Sequence, residues 1–285
     1  MVVLRTFGGF DVDVGTHGRA VGFRPRIVAL LALLIVHGPR GVSRDKILAY
    51  LWPESDSDHA RNSLKQALFS LRHAFSDPVV VWGPGLLRLN PVVVEVDLWL
   101  FESALAKSQM PAAVSLYRGP FLDGFYVSGL AEFERWAELE RQRLAAAYAD
   151  ALKTLATMAE AAADWAAAAV WWRRLTEAAP FSTPAVLGLM RALESAGDPT
   201  AAVEQARRHA ALVREELDCP VADEVRSFLR RLVNRSSSVT GGAPTPAIHT
   251  QLELAEPLPG HPASAQAPDR GARPRSARLT RHYRT

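Results

Sequence analysis

The sequence predicts a mainly α protein with a small β part: an N-terminal winged helix-turn-helix followed by an all-α tetratricopeptide-like domain. Three observations carry this prediction. Short runs of β-branched and aromatic residues open the chain and return over residues 79–96. Three helical segments lie between them, and the order strands, three helices, hairpin is that of a winged helix. From residue 97 to about residue 234 the pattern is helical throughout, with short breaks.

The opening elements follow from local pattern. Residues 2–7 and 10–14 predict an antiparallel strand pair that is broken by two glycines. Residues 25–37 are nearly all apolar, start with a proline and stop at a Gly-Pro pair, which predicts a buried central helix. A second helix is expected after Ser43 as its N-cap residue, with a proline at its end.

The third helical segment, residues 58–75, reads DHARNSLKQALFSLRHAF. Leu64, Leu68, Leu71 and Phe75 recur at helical spacing and make one apolar stripe. The other faces carry Arg, Asn, Lys and Gln, the side chains that reach base edges and phosphates in a major groove. The segment therefore predicts a recognition helix, and an ordinary basic surface helix is the alternative.

The rest of the chain predicts a β-hairpin and a helical repeat. Residues 79–82 and 86–89 flank a Gly-Pro-Gly turn, and residues 92–96 supply a further strand. Beyond them, AAADWAAAAVWWRRLTEAAPFS and ALESAGDPTAAVEQARRHAALV resemble each other as helical units of about 34 residues with small contact residues. This pair indicates a tetratricopeptide-like solenoid.

Three domains are expected from these patterns. Residues 1–96 form a winged-helix DNA-binding domain, and residues 97–234 form the helical domain. Residues 235–285 are rich in Pro and Arg, and their low aromatic content predicts a disordered tail. The last sixteen residues hold six arginines and no acidic residue, so this end is either solvated or attracted to DNA.

Charge distribution is more informative than the net charge of +3. Lys and Arg number 10 against 6 acidic residues over residues 1–75, 17 against 21 over residues 76–235, and 6 against 3 over residues 236–285. A basic excess at both ends around a mildly acidic middle fits a nucleic-acid module joined to a protein-contacting one.

Several functional classes are not expected. The single cysteine, Cys219, excludes an intrachain disulfide framework and a multi-cysteine zinc site. The start shows no signal-peptide pattern and the longest apolar run, residues 27–36, is about half a membrane span. The chain is therefore expected to be a cytoplasmic protein without membrane contact. No nucleophile motif or paired histidine ligands occur, so no enzyme activity, cofactor or metal is expected.

Two segments resemble known bacterial regulators. LWPESDSDHARNSLKQALFSLRHAF resembles the corresponding segment of regulators with an OmpR-type winged helix. The cluster LYRGPFL at residues 116–122, followed by Phe133, Trp136 and the pair Glu140 and Arg141, resembles the bacterial transcriptional activator domain. That domain follows the winged helix in the antibiotic-pathway regulators of the SARP family.

The resemblance implies a sequence-specific transcriptional regulator over about residues 2–234, usually an activator that binds repeats upstream of promoters and contacts RNA polymerase. The sequence departs from that family in two respects. The expected recognition helix is less basic than in many antibiotic-pathway members, and no phosphate-binding loop of the Gly-x-x-x-x-Gly-Lys-Ser/Thr type occurs. Relatives with an appended ATPase are therefore not expected as whole-chain matches.

Candidate DNA contacts lie on the face of the 58–75 helix opposite its leucine stripe. Asn62, Lys65 and Gln66 are expected to read bases, because amide and amine groups make the usual contacts with base edges. Arg61 and Arg72 are expected to hold phosphates.

Five more basic residues are weaker candidates. Arg44 and Lys46 start the second helix and either hold the DNA backbone or form a solvated helix end. Arg88 lies in the hairpin and could reach a minor groove or a phosphate. Arg24 and Arg26 flank the buried helix and are weaker still.

The leading hypothesis is a regulator that binds double-stranded DNA, with RNA polymerase as the partner implied by the resemblance and a homodimer as a possible state. The alternative is a protein-interaction scaffold whose winged helix no longer binds DNA. A ligand-responsive regulator is a third hypothesis, and no sequence feature selects it.

Overall fold

Two three-stranded sheets and ten helices make up the part of the chain that the structure, a computed structural model, describes. The described residues are 1–14, 22–75, 78–83 and 85–239. Those up to residue 239 lie within one compact unit, Met1–Thr240. The expected domain boundary at residue 96 and the tail beyond residue 234 therefore stay predictions.

The first sheet joins the start of the chain to a strand near residue 95. Strand β1 (Val2–Arg5) pairs antiparallel with β2 (Asp11–Asp13), as predicted. It also pairs in parallel with β6 (Val94–Val96), a partner that the pattern did not reveal. Val2 and Leu4 alternate inward along β1 and are buried in the core, which is the period-two pattern of a half-buried strand.

Three helices follow, each close to its predicted bounds. Helix α1 (Pro25–His37) has nine consecutive buried residues, 27–35, and so is the central helix that its composition predicts. A 3-10 turn, Gly38–Arg40, ends it. Helices α2 (Arg44–Leu51) and α3 (Ser57–Ala74) complete the helix-turn-helix.

Side-chain caps set the starts of α2 and α3. The Ser43 hydroxyl accepts a hydrogen bond from the Lys46 amide at 3.2 Å, which confirms the predicted N-cap. The Asp56 carboxylate accepts from the amides of Asp58 and His59 at 3.1 and 2.9 Å. These backbone hydrogen bonds, the one from His59 foremost, lower the pKa of Asp56.

The wing is a three-stranded sheet. Strands β4 (Val80–Trp82) and β5 (Leu86–Leu89) form the predicted antiparallel hairpin, and β3 (Val42–Ser43) pairs with the other edge of β5. Two residues are too few to show alternation, so β3 was not predicted. Gly41 permits the pairing because a Cβ there would lie 2.9 Å from the Leu87 carbonyl oxygen.

Seven helices form the second half of the fold, and most pack against the next one along the chain. They are α4 (Asp97–Ala106), α5 (Met110–Leu116), α6 (Ala131–Ala161), α7 (Trp165–Ala178), α8 (Thr183–Ser195), α9 (Pro199–Leu217) and α10 (Asp223–Val239). Helix α10 packs on both α8 and α9. It extends beyond its predicted end at residue 234, and the rest of the predicted disordered tail, residues 240–285, lies outside the described residues.

The predicted 34-residue period is visible in the helix starts. Asp164 caps α7 and Asp198, 34 positions later, caps α9. Each carboxylate accepts from the amide three residues on, at 3.0 and 2.9 Å. The residues before the caps, Ala163 and Gly197, both have positive φ angles, 56° and 86°. The same turn is therefore used twice, which supports the interpretation of this half as a repeat.

A carboxylate ties the first sheet to α4. The Asp97 side chain accepts from the amides of Thr6 and Phe7 at 2.7 and 3.0 Å and from the Thr6 hydroxyl at 2.8 Å. It also accepts from the Leu98 amide at 2.8 Å, in the first turn of α4. The end of β1 and the start of the helical half are therefore held by one residue.

The segment LYRGPFL, residues 116–122, lies against the first sheet. The Leu122 amide donates to the Thr6 carbonyl at 2.8 Å, and the Gly8 amide donates to the Pro120 carbonyl at 3.0 Å. Two tryptophans add to the contact between the halves. Trp99 donates from Nε1 to a carbonyl of α1 at 2.8 Å, and Trp136 packs on aromatic rings of the winged helix. The two halves consequently share one hydrophobic core.

Candidate nucleic-acid interface

The outer face of α3 is exposed and polar. Asn62, Lys65 and Gln66 all lie on the solvent side, and Phe69 is 60% exposed, with its ring centroid 4.1 Å from that of His73. The side that faces the core consists of Leu64, Leu68 and Leu71, all of them buried. The predicted apolar stripe is therefore in the core, and the three candidate base readers share the opposite side.

A small groove between α2 and α3 collects basic side chains. It has a volume of about 250 Å³, and Arg44, Arg61 and Lys65 all line it. Arg61 also lies 3.4 Å from the Asp58 carboxylate, an exposed pair of little energetic weight. We call this space the α2–α3 groove. The structure thus brings together three predicted DNA contacts that come from two helices.

Lys46 lies apart from that groove. Its Nζ is 3.0 Å from Nε2 of His37 and 6.0 Å from the centre of the Tyr50 ring, on the side of α2 that faces α6. Nδ1 of His37 lies 2.8 Å from the Leu33 carbonyl oxygen, so that Nε2 can accept from Lys46. Burial lowers the pKa of His37, and the charge of Lys46 adds to this effect.

Of the other predicted cations, Arg72 lies on α3 itself and Arg88 on the wing. Arg72 is exposed near the end of the helix. Arg88 is exposed on β5, between the buried Leu87 and Leu89, and therefore points to the outer face of the wing. The Arg44 amide donates to the Gly85 carbonyl at 3.3 Å, which places the start of α2 next to the turn of the wing.

A second and larger groove runs along the other side of α3. Its volume is about 700 Å³. It is lined by Arg24, Pro25, Arg26, Ile27, Trp52, Ser63, Gln66, Ala67, Ser70, Tyr126, Val127 and Ser128. We call it the α1–α3 groove. Sequence reasoning ranked the two arginines low and missed Tyr126, because that residue follows α3 by more than fifty positions and only the fold brings it near.

The described ranges hold neither a cluster of metal ligands nor a membrane-spanning helix. Within them, no three His, Cys, Asp or Glu side chains stand close enough to hold a metal ion. None of the described helices has the length and apolarity needed to cross a bilayer.

Comparison with known families concerns the helical half. Residues 101–233 match the family model of the bacterial transcriptional activator domain. This segment is therefore similar to that domain, and we call residues 101–233 the activator domain. The match starts inside α4 and ends inside α10, and it confirms the resemblance that the segment LYRGPFL indicated.

One solved structure is similar in fold over a longer part of the chain. EmbR of Mycobacterium tuberculosis, in complex with a low-affinity phosphopeptide, matches with a TM-score of 0.58 at 22% identity, over 82% of this chain and 65% of that chain. The present chain thus spans about two thirds of the EmbR chain, and at this identity the likeness concerns the fold. No curated protein sequence matches the chain.

Two side chains of α6, Arg141 and Glu134, hold the loop between α5 and α6, residues 117–130. Arg141 donates from Nε to the Phe121 carbonyl at 2.9 Å and from a terminal nitrogen to the Phe125 carbonyl at 3.2 Å. The Glu134 carboxylate accepts from the Val127 amide at 2.7 Å. Arg141, one of the motif residues, therefore has a structural role. Its bonds and that of Glu134 order the loop that carries Tyr126.

Proposed function

We propose that this regulator binds specific DNA sequences through α3 and activates transcription from promoter-proximal repeats by contacting RNA polymerase. The observation that carries the proposal is the single exposed face of α3, where three side chains with base-reading chemistry lie beside the α2–α3 groove, whose lining holds three cations and one carboxylate, Asp45. The buried leucine stripe leaves that face as the part of the helix that can enter a major groove.

The residue types match the chemistry of base edges. The amides of Asn62 and Gln66 can make paired hydrogen bonds with adenine, and the Lys65 ammonium can donate to guanine. Each such contact discriminates by about 1–3 kcal/mol against a wrong base. In this proposal these three residues read sequence.

The cations around them have a different role. Arg44, Arg61 and Arg72 flank the reading face, and Arg88 projects from the wing. Guanidinium groups bind phosphates through paired, charge-assisted hydrogen bonds. We assign them to the DNA backbone, where they orient the protein without carrying sequence information. Lys46 contributes less in this proposal because it faces His37.

Polymerase contact, a possible homodimer and action in the cytoplasm are parts of the same proposal. They are supported by the activator domain, whose family acts in transcription. The chain spans only 65% of EmbR. The polymerase contact and the homodimer are therefore proposals for this chain and are not taken from EmbR.

The experiment is a selection from a pool of random 30-bp duplexes by the purified chain, followed by binding titrations at several salt concentrations. Specific binding predicts an enriched motif bound about 10³-fold or more tightly than unselected duplex. It also predicts that affinity falls steeply as salt rises. Lys65→Ala combined with Gln66→Ala should abolish the preference for the motif.

The matched control is Lys153→Ala combined with Gln142→Ala, which removes the same two residue types from the exposed surface of α6. This control should select and bind the motif as the parent chain does. A folded parent chain that enriches no motif would overturn the proposal and favour the protein-interaction scaffold.

A further inference from the structure

We propose that the α1–α3 groove binds the sugar–phosphate backbone of the same duplex, along the strand opposite the one held at the α2–α3 groove. The activator domain then touches DNA directly through Tyr126. This inference rests on the proposed function, since it assumes that α3 lies in a major groove.

The two grooves lie on opposite flanks of α3. Arg61 and Lys65 line the α2–α3 groove, whereas Ser63, Gln66 and Ser70 line the α1–α3 groove. A helix with its side chains is about 10–12 Å across and fills a major groove about 12 Å wide. A backbone strand borders the major groove on each side, so both flanks of an inserted helix face phosphates. The α2–α3 groove accounts for only one of them.

The lining of the α1–α3 groove has the chemistry of a phosphate site. Arg24 and Arg26 are exposed there and supply two guanidinium groups. The serine and tyrosine hydroxyls add neutral donors of the kind that bind phosphate and sugar oxygens. None of the twelve described residues that line it is acidic. A polyanion is therefore attracted along the whole groove.

The shape favours a backbone over a small molecule. Pockets for small molecules enclose most of the ligand surface and are mainly apolar. Tyr126 is 72% exposed at the rim of this groove, and both arginines lie open to solvent. An open, cationic channel beside a helix matches an extended strand that continues past it.

Tyr126 is presented for contact at small entropic cost. Its neighbours on both sides are bonded, Phe125 through its carbonyl to Arg141 and Val127 through its amide to Glu134. An ordered loop loses little backbone freedom on binding. The hydroxyl at the end of the ring can then donate to a phosphate oxygen, and the protected DNA should extend on the side of the activator domain.

The test uses the motif selected by the parent chain, with salt titrations and phosphate-ethylation interference. Arg24→Ala combined with Arg26→Ala removes two phosphate contacts, each worth about 0.9 in the slope of log K against log salt. We expect the slope to fall by about 1.8 and the affinity at 0.1 M salt to fall about 60-fold, with the selected motif unchanged. Interference should disappear at phosphates of one strand only.

Two further variants test the Tyr126 hydroxyl by itself and the loss of two positive charges away from the groove. Tyr126→Phe keeps the ring and should lose interference at one phosphate, with little effect on the salt slope. Arg207→Ala combined with Arg214→Ala removes the same charge from exposed positions on α9 and should bind as the parent chain does. Circular dichroism should show the same fold for all variants, because the altered side chains are exposed.

The outcomes distinguish the two proposals. If the parent chain selects no motif, both the proposed function and this inference fail. If it selects a motif and the Arg24/Arg26 variant keeps the parent slope and both interference patterns, this inference alone is overturned.

Discussion

A Cβ atom built on Gly119 would lie 3.0 Å from the Cα of Gly8, so these two backbones touch where the activator domain meets the first sheet. Pro120 follows Gly119, and its carbonyl accepts a hydrogen bond from the Gly8 amide at 3.0 Å. The contact explains a glycine within the segment LYRGPFL: a Cβ at either position would press on the facing backbone, which would have to shift by a few tenths of an ångström.

Gly119→Ala should therefore destabilise the protein by about 1–3 kcal/mol, the usual effect of forcing an extra methyl into a packed contact. The new atom meets backbone, which cannot rotate away. Urea unfolding followed by circular dichroism measures the change. Gly83→Ala is the control, since a Cβ there meets no atom within 4 Å, and equal stability losses for both variants would contradict the explanation.

Gly188→Ala should also destabilise, although alanine is the better helix former by about 1 kcal/mol. A Cβ at Gly188 would lie 2.5 Å from the Trp172 ring. That ring is buried and cannot shift easily, because its Nε1 donates to Glu160 at 2.7 Å. We expect a net loss of up to about 2 kcal/mol in the free energy of unfolding, because an overpacking cost of about 1–3 kcal/mol is offset by about 1 kcal/mol of helix propensity.

A double-mutant cycle checks the cause of this loss. In the background of Trp172→Leu, which opens space on α7, Gly188→Ala should be neutral or stabilising. If the alanine is as harmful there as in the parent chain, the indole is not the obstacle and the packing argument fails.

Stability should fall in mild acid because of His37. Burial holds its pKa below the ordinary 6.5, so the unfolded chain binds a proton more readily than the folded chain does. The stabilising contribution is complete above about pH 6.5 and is lost as the pH falls below that value. Protonation also removes the acceptor that Nε2 offers to Lys46.

Thermal unfolding between pH 8 and pH 5 measures this dependence. His37→Gln should flatten the acid side of the curve, whereas His73→Gln, at an exposed position on α3, should leave it as in the parent chain. Parallel curves for the parent chain and His37→Gln would show that another group is responsible.

Two single variants should distinguish base reading from phosphate binding, because they change sequence discrimination and salt dependence respectively. Asn62→Ala should lower discrimination between the selected motif and its single-base variants by about 1–3 kcal/mol at one position. Arg72→Ala should weaken binding to all duplexes alike and reduce the salt slope by about 0.9. Competition titrations with a panel of motif variants distinguish the two results, and the reverse pattern would exchange the roles assigned to these residues.

Much of the fold follows from local pattern. The apolar run at residues 25–37 predicted the central helix with its observed bounds, since a proline start and a glycine stop are local signals. The leucine spacing in α3 identified its buried side, and the Asp caps 34 positions apart follow the predicted repeat. Strand β3 and the parallel pairing of β6 with β1 were missed, because both depend on partners far away in sequence.

The sequence by itself determined which helix presents Asn62, Lys65 and Gln66, because side-chain direction along a helix follows from spacing alone. Only the tertiary structure decided what stands beside them. It turned Lys46 toward His37, and it brought Tyr126 of the activator domain to the groove next to Gln66. These neighbours depend on how helices and loops pack across long separations in the chain, and no local pattern encodes that packing.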